Sequence, residues 1–353
     1  MAFLIETKNK FGKTNLNFPP IIFGTSALGN LYVDLQEEKK LKIVSECIKY
    51  IAPPVVFDSA GKYGAGLALE ILGKCLKQLN VNSENVIISN KLGWYRIPLQ
   101  TDEPTFEPGI WKNIKNDAIQ KISYNGIIEC FEQGNELLKY YTPQLVSVHD
   151  PDEYLASSID KTDFKKRYSN IVKAYNALFE LKKEGKIKAI GIGAKDWQII
   201  KALYNDVEFD WVMFANSLTI MKHPPELLNF IEILNKKNIA IINSAVFHAG
   251  FLTGGKFFDY RILNPDDNDD KKIFQWREKF FNICKKYNIN PSVACVHFAR
   301  KIPGVISIAL NTSNPDRIKE NISLILEEVP DEFYKEMKNE GLIDKDYPYA
   351  GIS

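Results

Sequence analysis

Eight short apolar runs, each followed by a longer amphipathic stretch, leave this chain few ways to fold. The runs are PPIIFGTSAL (19–28), PVVFDSA (54–60), VIISNKLG (86–93), LVSVHD (145–150), IKAIGIG (187–193), WVMFAN (211–216), IAIINSAV (239–246) and GVISIALN (304–311). They are rich in β-branched residues and nearly continuous in hydrophobicity, the pattern of strands buried on both faces of a parallel sheet. Between them apolar residues recur every three or four positions, in EEKKLKIVSECIKYI (37–51), LALEILGKCLKQL (67–79), IIECFEQGNELLKYY (127–141) and IVKAYNALFELKKEG (171–185). Gly185 supplies a C-terminal stop to the last of these. The stretches at 224–238, 291–302 and 314–326 each open with proline in the first turn, where a missing N–H costs least.

Eight strand–helix repeats predict a (β/α)8 TIM barrel of the α/β class. A doubly wound open sheet competes, but it calls for a GxGxxG turn after its first strand, and FGTSALGN at 23–30 is not one. A bare barrel takes about 250 residues, so roughly a hundred of the 353 are additional. They concentrate at 94–124, 151–167 and 247–290, each after a strand and so expected as long loops over the C-terminal face. The first 18 residues, with KNKFGKTN as the turn, are expected to form an N-terminal hairpin closing the other end. The acidic run NPDDNDDKK (264–272) reads as a solvated loop, and residues 1–353 as one domain.

A net charge of +1 from 45 basic and 44 acidic residues, without clustering, offers no footprint for nucleic acid or an anionic membrane. Cys47, Cys75, Cys130, Cys284 and Cys295 show no CxxC pairing and no metal-ligand spacing, which points to free thiols in a reducing compartment. MAFLIETKNKFGK has no apolar core of signal length, and no stretch approaches the ~18 apolar residues of a membrane span. The expected location is the cytoplasm.

On a barrel, the chemistry belongs at the C-terminal strand ends. There the sequence puts Asp58 (FDSA), Tyr63 in the turn after it (GKYGAG), Lys91 (SNKLG) and His149 (SVHDPD). Alone, the aspartate would cap a turn, the tyrosine would pack, the lysine would be solvated and the histidine would sit hydrogen-bonded in the core. Four such groups on three consecutive strand ends are better explained by chemistry. A phenol titrates near ~10, and a neighbouring ammonium favours its phenolate. Lys91 supplies that ammonium, Asp58 holds Lys91, and a neutral His149 orients a substrate oxygen. The device moves a proton on or off a carbon-bound oxygen and needs an external hydride partner.

The chain resembles the aldo-keto reductase superfamily over nearly its whole length, through FDSAGKYGAGLALEILGKCL, VIISNKLG, LVSVHDPD, GKIKAIGIG and ALNTSNPDRIKEN. The resemblance implies that Asp58, Tyr63, Lys91 and His149 form the catalytic tetrad, with Tyr63 as general acid/base, and that hydride passes to or from a nicotinamide. INSAVFHAGFLTGGKFFDYR (242–261) and FQWREKFFNICKKYNINPSVACVHFA (274–299) look most like the L-fucose / D-threo-aldose 1-dehydrogenase branch, with L-galactose dehydrogenase and pyridoxal 4-dehydrogenase nearby. That branch oxidises the anomeric carbon of an aldose to a lactone.

Carried over by position, Gly24, Thr25, Asp58, Ser244, Phe247, Asn311, Thr312, Ser313, Arg317 and Asn321 would bind the cofactor. Five residues at three places depart from the common pattern. Asn311 and Thr312 stand where many members carry Lys-Ser, Gly193 and Ala194 replace a Ser-Asn pair, and Asn243 replaces a stacking tyrosine. Losing one ammonium–phosphate contact removes roughly 1.5–3 kcal/mol of preference for the phosphorylated cofactor, so NAD is favoured over NADP. For the substrate, Trp94 is expected as an apolar wall, with Tyr95 and His248 as polar contacts beside Tyr63 and His149. The implied partner is a small aldose, bound by a monomer or homodimer. A general carbonyl reductase, a pyridoxal dehydrogenase, a Schiff-base aldolase using Lys91 and a slow nucleotide-sensing scaffold are the competing readings.

Overall fold

The computed structural model describes residues 4–259 and 261–351. Eight parallel strands close into a barrel: β1 (Ile21–Gly24), β2 (Val55–Ala60), β3 (Val86–Leu92), β4 (Leu145–His149), β5 (Ala189–Ala194), β6 (Trp211–Ala215), β7 (Ala240–Ser244) and β8 (Val305–Leu310). Each pairs with the next, and β8 returns to β1 through Ile308 opposite Ile21. The expected (β/α)8 barrel is therefore the fold. Valine and isoleucine dominate these strands because both faces are covered, by packed side chains within and by helices without.

Inside the barrel floor, Trp211 fills the space left by Gly191, where an added Cβ would lie 2.1 Å from the indole. The N-terminal hairpin, Asn9–Lys10 against Asn17–Phe18, closes this end as expected. Phe11 and Phe18 stack with centroids 4.0 Å apart and pack beneath Trp211, Ile22 and Val56.

Helix starts depart from the apolar periodicity. The helix expected at 127–141 spans Tyr124–Leu138, because the Ser123 side chain accepts the Gly126 N–H and Lys139 turns away at φ 60°. The one expected at 171–185 begins at Lys161, where Asp160 accepts from the N–H groups of Thr162 and Asp163. Its first turns are mostly polar and outward-facing, so they carry no apolar stripe. The acidic run at 264–272 is not simply a solvated loop. Asp267 caps the helix Asn268–Lys286, and buried Asp270 binds the Arg261 guanidinium through both oxygens at 2.8 and 2.6 Å.

Over the mouth, the loop after β3 forms a hairpin of Trp94–Pro98 against Asn116–Gln120. The loop after β7 carries a smaller one, Phe257–Phe258 against Arg261–Ile262. Tyr32, following β1, stacks on Phe257 at 5.6 Å and 7°, so the first and seventh loops meet across the opening. Among the described residues no helix is long and apolar enough to cross a membrane. The five cysteines are free and buried; burial pushes Cys75 up to about 11 and Cys130 and Cys284 up to about 12, so these thiols stay protonated and unreactive near neutral pH.

Candidate active site

Strand register sets the centre of the mouth. β2 aligns Asp58 with Gly24 of β1 and Ser89 of β3, and Ala60 with Lys91, so both charged side chains reach the same level of the barrel. Asp58 and Lys91 are each 4% exposed, and Lys91 Nζ donates to Asp58 Oδ2. The same ammonium lies 4.8 Å from the centre of the Tyr63 ring. Tyr63 in turn meets His149 edge-on, centroids 5.6 Å apart at 83°. The four residues named from the sequence are thus brought together.

His149, the last residue of β4, is 3% exposed. Burial first, then the ammonium groups of Lys91 and Lys62, hold its pKa well below the usual histidine value, so it is neutral near pH 7. Its Nδ1 is buried without a hydrogen-bond partner among the described residues. An orphaned lone pair costs less than an orphaned N–H, which assigns the proton to Nε2. The depressed pKa also fixes a sign for stability. Below the ordinary value near ~6.5 the unfolded chain takes a proton that the fold refuses, so stability falls as pH falls, by up to about 1.4 kcal/mol per pH unit for this group. Thermal unfolding from about pH 7 to 5 should show that slope, shallower in His149→Gln. Equal slopes in the two proteins would contradict a buried, neutral His149.

An aromatic wall flanks Tyr63. Trp111 lies 5.8 Å from it, Phe106 lies 6.5 Å from Trp111, and Trp94 lies 5.5 Å from Phe106. Trp94 therefore lines the mouth, while Tyr95, next along the strand, turns to the other face, where Lys121 sits 4.0 Å over its ring. His248 is also away from the centre. It is 1% exposed, its Nε2 is 2.7 Å from Thr219 Oγ1, its Nδ1 is 2.9 Å from Asp259 Oδ1, and its ring stacks on Phe258. Thr219 Oγ1 also accepts the Lys222 N–H, so both histidine nitrogens serve the loop.

The residues expected at a cofactor cluster around β8, β1 and β7. Thr25 gives both its N–H and its hydroxyl to the Asp58 carbonyl, at 3.0 and 3.1 Å. Gly24 faces Asn311, whose Cβ would be 3.2 Å from a Cβ at 24. Asn311 Nδ2 donates to Ser26 Oγ, Thr312 Oγ1 accepts the Asn314 N–H, and Ser244 Oγ donates to the Phe214 carbonyl. Ser313 and Arg317 are exposed, Asn321 is half-buried, and half-buried Phe247 packs against both large core clusters.

One group here escaped the sequence reading, and a second entered it only as the replacement of a stacking tyrosine. Asn216, 5% exposed just past β6, and Asn243, fully buried on β7, each bury an amide oxygen with no partner among the described residues. Asn243 Nδ2 is already committed to the Leu218 carbonyl at 2.7 Å. Two orphan acceptors at adjacent strand ends fit a ligand that brings N–H donors, as a nicotinamide carboxamide does. The available signal for Asn216 was a polar amide ending the apolar run WVMFAN.

Comparison with known proteins agrees with this architecture. The sequence matches the Aldo/keto reductase family over residues 20–340. It is 25% identical to a pyridoxal 4-dehydrogenase from Microbacterium luteolum, covering 97% of this chain and 100% of that one. It is 22% identical to a D-threo-aldose 1-dehydrogenase from Pseudomonas sp (96% and 98% covered) and 20% identical to an L-galactose dehydrogenase from Arabidopsis thaliana (90% and 87%). Among solved structures, the holo form of aldo-keto reductase AKR11C1 from Bacillus halodurans superimposes with a TM-score of 0.69 at 18% identity, covering 98% of this chain and 99% of that one. The chain belongs to the aldo-keto reductase family of oxidoreductases, which work with a nicotinamide cofactor.

Proposed function

We propose that this chain is an NAD(P)-dependent aldose 1-dehydrogenase, oxidising the anomeric C1 hydroxyl of a fucose- or D-threo-type aldose to the lactone. The observation that carries the reading is the buried Asp58–Lys91 pair set beneath Tyr63 and beside a neutral His149. Lys91 favours the Tyr63 phenolate, and Asp58 keeps the ammonium in place. His149 gives its Nε2–H to the C1 oxygen and orients it, and Tyr63 takes the hydroxyl proton. Trp94 and Trp111 offer flat apolar faces to a sugar's C–H surface. A nicotinamide, when bound, supplies the hydride acceptor.

In this reading Asn216 and Asn243 hold the carboxamide end, with Gly24, Thr25, Ser244 and Phe247 alongside. Asn311, Thr312, Ser313, Arg317 and Asn321 hold the adenosine end. Asn311 and Thr312 carry no charge toward a 2′-phosphate, so NAD is the preferred cofactor, with Arg317 the remaining cation there. A pyridoxal-oxidising enzyme is the second reading, favoured by the relative of that name matching along its entire length.

Product chemistry tests the reading. With NAD and an aldose, the released lactone should be trapped by hydroxylamine as a hydroxamate. NADPH consumption with simple aldehydes, and no hydroxamate from any aldose, would make the chain a carbonyl reductase instead.

A further inference from the structure

A second buried ammonium, Lys62, stands beside the reacting groups, and the chemistry above does not use it. It precedes Tyr63 in the chain and is 4% exposed. Its Nζ lies 2.7 Å from Glu107 Oε1, 2.9 Å from Glu153 Oε2 and 3.6 Å from Asp150 Oδ2. The contacts continue around the mouth. Glu107 Oε2 accepts the Trp111 indole N–H at 2.7 Å, Trp111 faces Tyr63, and Tyr63 meets His149. Asp150 Oδ2 closes the ring, 3.4 Å from His149 Nε2.

Asp150 therefore lies between two bases that compete for its charge. A carboxylate this near an imidazole favours the imidazolium; a nearby ammonium opposes it. The groups facing His149 are the Asp58–Lys91 pair, Tyr63, Lys62, Lys195, Asp150 and Glu153, with Glu107 behind Lys62. Burial, the largest single effect, disfavours the Lys62 ammonium, but Asp150, Glu107 and Glu153 together outweigh it and raise its pKa, so it is cationic near neutrality. Lys195 takes the other oxygen of Glu153. Asp150 itself sits at φ 44°, a conformation few side chains adopt unless their surroundings hold them.

We propose that Lys62 is a positioning residue: it gathers Asp150, Glu107 and Glu153 into a fixed ring and takes up the Asp150 charge, so that His149 meets the substrate oxygen as a neutral Nε2–H donor. The proposal rests on Tyr63 and His149 as the proton-handling pair of the reaction above. Two charge-matched variants of the full chain test it, each losing one ammonium and one carboxylate. Lys62→Met/Glu107→Gln keeps Asp150; Lys62→Met/Asp150→Asn removes it. Nitrogen-15 NMR of the histidine rings, followed as pH falls from about 8 toward 4 and with His149 assigned by its loss in His149→Gln, reads the protonation state directly.

The expected result is that His149 takes up its proton at higher pH in the variant that keeps Asp150 than in wild type, in the variant without Asp150, or in Lys62→Arg. Protonation of His149 at the same pH in both double variants, or a cationic His149 in wild type at about pH 7, would overturn the proposal. Should Lys62→Met/Glu107→Gln not fold, Lys62→Met/Glu153→Gln carries the same charge and the same expectation. The spectra need neither sugar nor cofactor, so failure of the aldose reading leaves them interpretable, and failure here leaves the aldose reading standing.

Discussion

Replacing Tyr63 by phenylalanine is expected to lower turnover about 10²–10⁴-fold, the range for loss of a positioned acid/base group. Phenylalanine keeps the ring that packs against Trp111 and meets His149 edge-on. Only the hydroxyl goes, so folding and nicotinamide affinity should hold. Retention of more than about a tenth of wild-type turnover would remove Tyr63 from the proton-transfer role.

Lys91→Met should be as damaging to turnover and far more damaging to the fold. Asp58 is 4% exposed and its Oδ2 is bound by Lys91, while its Oδ1 has no hydrogen-bond partner among the described residues. Removing the ammonium strands a buried carboxylate, which costs about 3–5 kcal/mol. A second change, Asp58→Asn, takes away that charge and should recover much of the stability without recovering activity. Urea denaturation of the single and double variants, alongside their turnover, separates the two roles. Recovery of both together would mean that the pair acts only as scaffold.

The barrel was legible because burial on both faces of every strand removes polar alternation, leaving eight apolar runs that only a covered parallel sheet explains. The central four residues were legible for a related reason: Asp58, Lys91 and His149 interrupt such runs near their ends, and Tyr63 follows one within a tight turn. The wall around them was not. Glu107 and Trp111 lie in TFEPGIW, an irregular stretch without period, and reach the mouth only because the hairpin after β3 folds back over it. Lys62 has no partner in its own stretch of sequence, since Asp150, Glu153 and Glu107 reach it from two other loops. Tyr95 and His248 show the converse. A one-residue step along a strand turned Tyr95 outward, and Thr219 with Asp259 drew His248 into the scaffold, neither of which local sequence encodes.

The most direct test of the central claim is a set of initial rates with NAD and, separately, NADP across L-fucose, D-arabinose, L-galactose, L-xylose and pyridoxal. The account predicts NADH formation with at least one aldose, faster than NADPH formation from NADP, rising toward alkaline pH as the phenolate form of the general base is populated. No reduction of either cofactor by any sugar, with rapid oxidation of NADPH by simple aldehydes, would contradict it.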